Sequence, residues 1–256
     1  MQIQLVRSAT VRLRFGGRTF LIDPWFAAKG EGFSYAGGEM SPLVEMPFPP
    51  EQILKDVDAV LISHLHSDHF DAAARSALSR QTPILCTARD APAVKAFGFG
   101  QVRGIESDTR FGDVRIKLTE GRHGPDEVLE EMGDVSGFLF QAADEPVLYW
   151  AGDTILCDEV EEIIATHQPN VIVVHACGAD WKGTGPLVMD EAMTEQVLRV
   201  APEAQIVATH LDSVDHATAT RTSLRAHFAA IPELKTRVHI PEDGEMISMR
   251  KRSVDK

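Results

Sequence analysis

The sequence predicts an α/β protein built as a four-layer sandwich, in which two mixed β-sheets pack together and helices flank them on the outside. Short apolar strands alternate with amphipathic helices, and the alternation occurs in two successive halves that each begin with several strands. The 256-residue chain shows no repeat period, low-complexity tract or linker rich in Pro or Ser. We therefore interpret residues 1–256 as one domain.

The first half begins with short strands. Residues 2–7 alternate polar and apolar side chains, as a half-buried strand does, and Gly16-Gly17 predicts a hairpin turn between the next two strands. A Gly-rich loop at 27–39 could act either as a lid over a ligand or as an inert surface loop. The predicted elements are strands at 2–7, 11–15, 18–22, 58–62 and 83–87, and helices at 70–80 and 90–97.

The second half combines strands with longer helices. In helix 157–167, Val160 and His167 share one apolar stripe, which predicts that both side chains face a sheet. Residues 170–175 form a continuous apolar run of the kind that is buried on both faces. The predicted elements are strands at 101–105, 112–119, 135–141, 146–151, 170–175, 204–209, 236–240 and 246–249, and helices at 157–167, 190–201 and 217–229.

Charge and cysteine content narrow the range of partners. A formal net charge of −13 repels phosphate backbones, so we expect a small-molecule substrate and no nucleic acid. We expect no membrane partner, because no run approaches the roughly 18 apolar residues of a membrane span. Cys86, Cys157 and Cys177 are widely spaced and odd in number, which predicts reduced thiols and a cytoplasmic location. A homo-oligomer is compatible with this acidic surface, and we interpret Arg250-Lys251-Arg252 as a solvated tail.

The segment His64-Leu65-His66-Ser67-Asp68-His69 follows the apolar run at 59–62 and predicts a metal site. On an extended segment side chains alternate between faces, so His64 and His66 point the same way and can converge on one ion. Asp68 and His69 diverge where the chain turns and can reach a second ion. Imidazole and carboxylate ligands without thiolate are typical of hydrolytic zinc, manganese or iron sites rather than of closed structural zinc.

Two metals would each need one more ligand and a group between them, and three predicted strands end in suitable residues. His123 follows strand 112–119, Asp153 follows strand 146–151 and His210 ends strand 204–209. Each of them alone is more typical of a turn or cap, but together they repeat one pattern at three strand ends. Loops at strand ends commonly carry functional residues on a rigid scaffold.

With these segments in view, the chain resembles the metallo-β-lactamase-fold hydrolases, and within them the branch that includes L-ascorbate-6-phosphate lactonase. The resemblance implies that His64, His66 and His123 hold one metal. It also implies that Asp68, His69 and His210 hold the other and that Asp153 bridges the two. The matching segments are Leu21-Ile22-Asp23-Pro24, residues 64–69, Gly121-Arg122-His123-Gly124, Ala151-Gly152-Asp153-Thr154, Ala208-Thr209-His210-Leu211-Asp212 and Asp215-His216.

Further residues are candidates for supporting roles. Through the resemblance, Asp23 is expected to orient a ligand histidine or the loop, although a turn Asp before Pro24 is an equally good interpretation. His216 is expected near the cleft, as a substrate contact or as support for a ligand. The candidates for substrate binding are Tyr35, Arg122, His175 and Lys182, of which Arg122 and Lys182 could neutralise an anionic group.

The predicted function is hydrolysis of a small ester, lactone or phosphoester by a hydroxide that bridges two divalent ions. Zinc or manganese is favoured, and iron remains open. Asp153 and Asp68 are the predicted catalytic carboxylates, and Asp68 could carry a proton to the leaving group. One alternative is a phosphodiesterase or nuclease of the same fold, which the charge and the lack of a large insertion disfavour. Another is a non-hydrolytic iron redox enzyme or a metal-binding sensor module.

Overall fold

The computed structural model describes residues 1–250 and contains two seven-stranded mixed sheets flanked by helices. The predicted fold class, a sandwich of two mixed sheets with outer helices, is confirmed. Lys251 and Arg252 of the predicted tail lie outside the described residues. In the part of the chain that is described, no helix is long and apolar enough to cross a membrane.

The first sheet has the strand order β14-β1-β2-β3-β4-β5-β6. Its members from β14 to β3 pair antiparallel, whereas β3, β4, β5 and β6 run parallel to one another. The strands are β1 (Gln2–Arg7), β2 (Thr10–Phe15), β3 (Arg18–Ile22), β4 (Ala59–Ile62), β5 (Ile84–Thr87), β6 (Val102–Ile105) and β14 (Met246–Ser248).

The second sheet has the order β13-β12-β11-β10-β9-β8-β7, and its strands from β10 to β13 are parallel. The pairs β7–β8, β8–β9 and β9–β10 are antiparallel. The strands are β7 (Asp108–Phe111), β8 (Val114–Thr119), β9 (Gly137–Gln141), β10 (Leu148–Trp150), β11 (Val171–His175), β12 (Gln205–Thr209) and β13 (Val238–His239).

Within residues 1–250, eight α-helices connect the strands or cover the sheets. The longest are α5, α6 and α7, which pack on the second sheet. The helices are α1 (Pro50–Leu54), α2 (Ala72–Ala77), α3 (Ala91–Ala96), α4 (Leu129–Met132), α5 (Asp158–His167), α6 (Glu191–Val200), α7 (Arg221–Ala229) and α8 (Pro232–Lys235), and a 3₁₀ turn at Asp126–Val128 precedes α4.

Three apolar clusters separate the four layers. The central cluster joins the two sheets through large side chains such as Phe20, Phe140 and Trp150. The outer clusters lie between each sheet and its helices. Strand β11 contributes to two of them, because Val173 faces the other sheet while Ile172 faces the helices. The prediction that this strand is buried on both faces is confirmed.

Several predicted elements differ from the structure. The predicted strand 112–119 begins two residues later, at Val114, because Gly112 adopts a φ of +59° and forms the turn between β7 and β8. Helix α7 begins at Arg221 and not at 217, because Thr220 and Ser223 cap each other's backbone in a capping box. His167 is only half-buried, with Nε2 3.2 Å from Lys117 Nζ, so its predicted place in the core is wrong. Three short helices, α1, α4 and α8, were not predicted.

Candidate metal centre

The predicted ligands meet where strands of the two sheets end. The segment 64–69 follows β4, His123 follows β8, Asp153 follows β10, and His210 follows β12. Gly152 makes the turn into Asp153 possible, because its φ is +75° and a Cβ there would lie 2.9 Å from the Ser136 carbonyl oxygen. His210 itself has a φ of +65°, a conformation that is uncommon for a residue with a side chain and that costs free energy.

Two groups of potential ligand atoms lie side by side. The group that we name subsite 1 comprises His64, His66, His123 and Asp153, whose ligand atoms all lie within 4.8 Å of one another. Subsite 2 comprises His69, His175, His210 and Asp153 and meets the same limit. Asp153 belongs to both subsites. The structure therefore brings together the seven predicted ligands in the neighbourhood of one shared carboxylate.

Subsite 2 differs in one member from the set that the resemblance implies, because His175 stands where Asp68 was expected. Asp68 is nevertheless adjacent to this subsite. Its Oδ2 lies 3.3 Å from His210 Nε2 and 4.0 Å from His69 Nε2. A small movement of the Asp68 side chain would add a carboxylate oxygen to the ligands of subsite 2.

The ring nitrogens that face away from the centre are engaged by other groups. His69 Nδ1 lies 2.9 Å from Asp23 Oδ2, His64 Nδ1 lies 3.0 Å from Ser63 Oγ, and His123 Nδ1 donates to the Leu187 carbonyl oxygen at 3.0 Å. Such contacts fix the ring orientation and leave Nε2 free to bind a metal. Asp23 thus contacts a candidate ligand directly, although its φ of +47° is unusual for a non-glycine residue.

Several of the inward-facing nitrogens have no hydrogen-bond partner among residues 1–250. Nε2 of His64, His69 and His210 is buried and unpaired. Buried polar atoms are normally paired because desolvation without a partner is costly, so several unpaired nitrogens directed at one point fit a bound cation. The potential metal ligands are imidazoles and carboxylates. Asp153 Oδ2 lies 3.1 Å from Nε2 of His69, 3.5 Å from Nε2 of His123 and 3.7 Å from Nε2 of His64. This donor set suits zinc, manganese or iron.

Electrostatics also favour a cation at this place. Burial lowers the pKa of His64 and His123 below the ordinary 6.5, which keeps them in the neutral form that binds metals. Burial opposes a charge on His69, but the surrounding carboxylates, with Asp153 first, outweigh it and raise its pKa to about 10. The buried carboxylates thus create a negative potential that a metal ion could neutralise.

A cavity of about 350 Å³ opens above the two subsites. Its walls are mainly apolar and include Phe33, Met132, Trp181, Leu187 and Val188. The cavity is also lined by polar side chains, among them Tyr35, Ser67, Asp68, Lys182 and His216. The cavity is therefore a place where a small molecule could contact both the metal ligands and an apolar wall.

Tyr35 forms one side of this cavity. Its hydroxyl lies 2.7 Å from Ser67 Oγ and donates to Asp68 Oδ1 at 3.4 Å, and its ring packs against His216 with a centroid distance of 4.7 Å and an interplanar angle of 41°. The Gly-rich loop is therefore placed over the centre. Asp215 holds the loop there, because its carboxylate accepts hydrogen bonds from Ser34 Oγ and from three backbone N–H groups of residues 35–38.

The other substrate-binding candidates lie in different environments. Lys182 lines the cavity, with Nζ 4.7 Å above the ring of Trp181. Arg122 does not line this cavity and is paired with Glu159 at 2.9 Å. His175 also does not line the cavity, because it is buried beneath the centre and contacts Asp153 Oδ1 through Nδ1 at 2.5 Å. The polar contact that the structure gives His175 is thus with Asp153, the residue that both subsites share.

Some contributing residues were not predicted from the sequence. Ser63 immediately precedes the metal-binding segment and donates through Oγ to Asp23 Oδ2 at 2.6 Å, so its position next to the motif was an available signal. Ser8 and Cys177 flank His210 Nδ1 at 3.4 and 3.7 Å. No local pattern marks these two, because each meets His210 only after the sheets have formed.

Comparison with known proteins agrees with this arrangement. Residues 18–211 match the beta-lactamase superfamily domain. The UPF0173 protein YddR of Bacillus subtilis is 37% identical over 251 residues, which cover 96% of this chain and 98% of the relative.

Two solved structures resemble the chain over nearly its whole length. A possible metal-dependent hydrolase from Veillonella parvula has a TM-score of 0.94 at 31% identity, covering 97% of this chain and 99% of the other. An isothiocyanate hydrolase from Delia radicum gut bacteria has a TM-score of 0.93 at 32% identity, covering 98% and 100%. The chain therefore belongs to the beta-lactamase superfamily, in its UPF0173 family of metal-dependent hydrolases with the metallo-β-lactamase fold.

Proposed function

We propose that the protein is a dinuclear hydrolase of small, uncharged electrophiles that carry an apolar substituent, with esters and lactones as the first candidates. The observation that carries the proposal is a pair of ligand groups that share Asp153 at the floor of a largely apolar cavity. Two divalent ions held there would supply hydroxide at neutral pH and polarise the bond under attack. Zinc or manganese is the proposed occupant of both subsites, and the donor set also accepts iron.

The protein's own groups would bind the substrate and handle protons. Asp68 Oδ2 faces His210, whereas Oδ1 faces the Tyr35 hydroxyl. We assign to Asp68 Oδ1 the role of accepting a proton and delivering it to the leaving atom. Burial, followed by the charge of Asp68, raises the pKa of Tyr35, so its hydroxyl stays protonated and can donate a hydrogen bond to the substrate.

The wall of the cavity favours uncharged substrates over phosphoesters. Bound metal ions would attract any anion, so selection between the two classes depends on the rest of the wall. Among the described lining residues, Lys182 is the only lysine or arginine, and it lies over an indole ring. Glu131 lines the same wall and accepts a hydrogen bond from Trp181 Nε1 at 3.0 Å. This wall offers no cluster of cations for a phosphate, which also disfavours a phosphodiesterase or nuclease.

Isothiocyanates are a second candidate substrate class. The reason is the 32% identical structure that is named an isothiocyanate hydrolase. An isothiocyanate is uncharged and presents an electrophilic carbon beside an apolar substituent, so it satisfies the same requirements as an ester. The cavity volume of about 350 Å³ accommodates a small molecule of either class.

A hydrolysis panel tests the proposal. Protein loaded with zinc or manganese would be assayed with an aryl ester, a lactone, an aryl isothiocyanate and a phosphodiester, with Asp153→Ala as a metal-deficient control. We expect one of the uncharged substrates to give a kcat/KM at least about tenfold above that of the phosphodiester, equivalent to roughly 1.4 kcal/mol. Preference for the phosphodiester, or no turnover by protein that holds two ions, would contradict the proposal.

The remaining proposals concern partners and location. We propose that the protein acts on a small molecule without nucleic acid or membrane, supported by its net charge of −13. A cytoplasmic location is supported by the three cysteines, which form no disulfide. A homo-oligomer is compatible with these features. Sedimentation or light scattering of the purified protein would determine the number of subunits.

A further inference from the structure

The two carboxylate oxygens of Asp153 have different surroundings. Oδ2 faces both subsites, since it lies 3.1 Å from His69 Nε2 in subsite 2 and 3.5 Å from His123 Nε2 in subsite 1. Oδ1 is engaged by His175 Nδ1 at 2.5 Å. Because an ionised carboxylate only accepts hydrogen bonds, the ring of His175 donates from Nδ1. The hydrogen bond therefore engages the oxygen other than the one that lies nearest to His69 and His123.

The fold holds His175 in this position. It is the last residue of β11, which pairs in parallel with β10, and Asp153 follows the end of β10. The side chain is 1% exposed, and its ring stands at 90° to the ring of Trp150 with a centroid distance of 5.2 Å. On another side, the ring of His210 lies 5.1 Å away. A ring packed in this way has little freedom to turn away from Asp153.

This contact limits how Asp153 can bind metal ions. A carboxylate with two free oxygens can chelate one ion through both oxygens, or it can place one oxygen on each ion. The hydrogen bond from His175 uses one lone pair of Oδ1 and fixes the plane of the carboxylate, so that Oδ2 is the oxygen directed at both subsites. A side chain without a donor at the Nδ1 position would allow Asp153 to rotate and to favour one subsite.

We propose that His175 is a positioning residue that restricts Asp153 to bridging the two subsites through Oδ2 alone. The inference rests on the dinuclear site proposed above. His175 also lies within ligand distance of subsite 2, so the rival explanation is direct coordination of a metal ion by this histidine. A third explanation is a purely packing role for the buried ring. The first explanation requires a hydrogen-bond donor at the Nδ1 position, the second requires the imidazole itself, and the third requires only a side chain of similar volume.

Replacement of His175 distinguishes them. The amide nitrogen of Asn can take the place of Nδ1, so H175N keeps the hydrogen bond but lacks the imidazole. Leu fills much of the volume without a donor, so H175L tests packing. Each variant and the wild type would be loaded with manganese at controlled free concentrations. Metal content per chain would be measured together with the electron paramagnetic resonance signal of a spin-coupled ion pair, and circular dichroism would report folding.

We expect H175N to bind two ions per chain and to show the coupled signal of the wild type. We expect H175L to lose the coupled signal and to bind the ions roughly 10–100-fold more weakly, which is the usual effect of removing a group that orients a ligand. If H175L does not fold, H175Q replaces it, because its longer side chain moves the amide away from the Nδ1 position.

Two results with the variants would overturn the inference. Loss of coupling in H175N as well as in H175L would show that the imidazole itself is needed, and retention of coupling in both would show a packing role. The proposed function is tested separately by the wild type. Two coupled ions without hydrolysis would contradict the function but not the inference, whereas fewer than two ions in the wild type would contradict both.

Discussion

The carboxylate of Asp215 is the group that holds the Gly-rich loop over the metal centre, and its removal should open the cavity. Its side chain is only 4% exposed and accepts hydrogen bonds from Ser34 Oγ at 2.7 Å, Tyr35 N at 2.8 Å, Ala36 N at 3.1 Å and Gly38 N at 3.3 Å. In Asp215→Ala all four donors lose this acceptor. We expect the metal ligands to remain in place while Tyr35 becomes mobile.

The size of the effect follows from these contacts. Ala36 and Gly38 are exposed, so water can replace the lost acceptor for their N–H groups. The bonds from Ser34 and Tyr35 then account for most of the loss, and at about 1.5 kcal/mol each, as for bonds to a charged group, they give about 3 kcal/mol. This free energy shifts the equilibrium between the closed and open loop by roughly 150-fold. A similar fall in kcat/KM is the upper limit if catalysis requires the closed loop.

Two measurements check this prediction. Hydrogen exchange would report the amides of residues 33–40, and metal analysis would show whether the ions are retained. Asp215→Asn should fall between the wild type and Asp215→Ala, because an amide keeps one acceptor oxygen. Asp113→Ala is a matched control at an exposed turn. Unchanged exchange at residues 33–40 in Asp215→Ala would refute the proposed role of this carboxylate.

Three further predictions concern the centre itself. Asp153→Ala should lose metal and activity with the fold retained, as judged by elemental analysis and circular dichroism, and unchanged metal content would exclude a bridging Asp153. Chelation should lower the midpoint of thermal unfolding, because an ion present at 100 times its Kd stabilises a protein by about 2.7 kcal/mol. An unfolding midpoint that does not change with chelator would argue against tight binding. Arg122→Ala should change kcat/KM by less than about twofold, because a surface ion pair with Glu159 contributes little. A large rise in KM for an anionic substrate would restore Arg122 as a binding residue.

Much of the fold could be predicted because its signals are local. Strand β11 was recognisable from a continuous apolar run, and helix α5 from the spacing of its apolar residues. The predicted boundaries are wrong where a local feature, such as a turn or a helix cap, overrides the hydrophobic pattern. The turn at Gly112 delays the start of β8, and the cap at Thr220 sets the start of α7. Short helices such as α8 contain too few residues to show a period.

The candidate ligands were recognisable for a related reason. His64, His66, Asp68 and His69 lie within six residues, so their proximity is determined by the covalent chain. His123, Asp153 and His210 are far apart in sequence, but each follows a strand, and strand ends meet at one edge of a sheet. The resemblance to a family then assigned each of them to an ion.

The sequence by itself determined the strand and helix pattern and the chemical types of the ligands, because periodicity and residue type are properties of the chain. Only the tertiary structure decided the partners of each side chain. Asp215 reaches a loop about 180 residues earlier, Arg122 turns to Glu159, and His175 meets Asp153 across two neighbouring strands. Contacts between distant segments depend on how the sheets pack and on which strands are neighbours. A pattern along one strand shows which face is buried, but it does not show which side chain lies opposite.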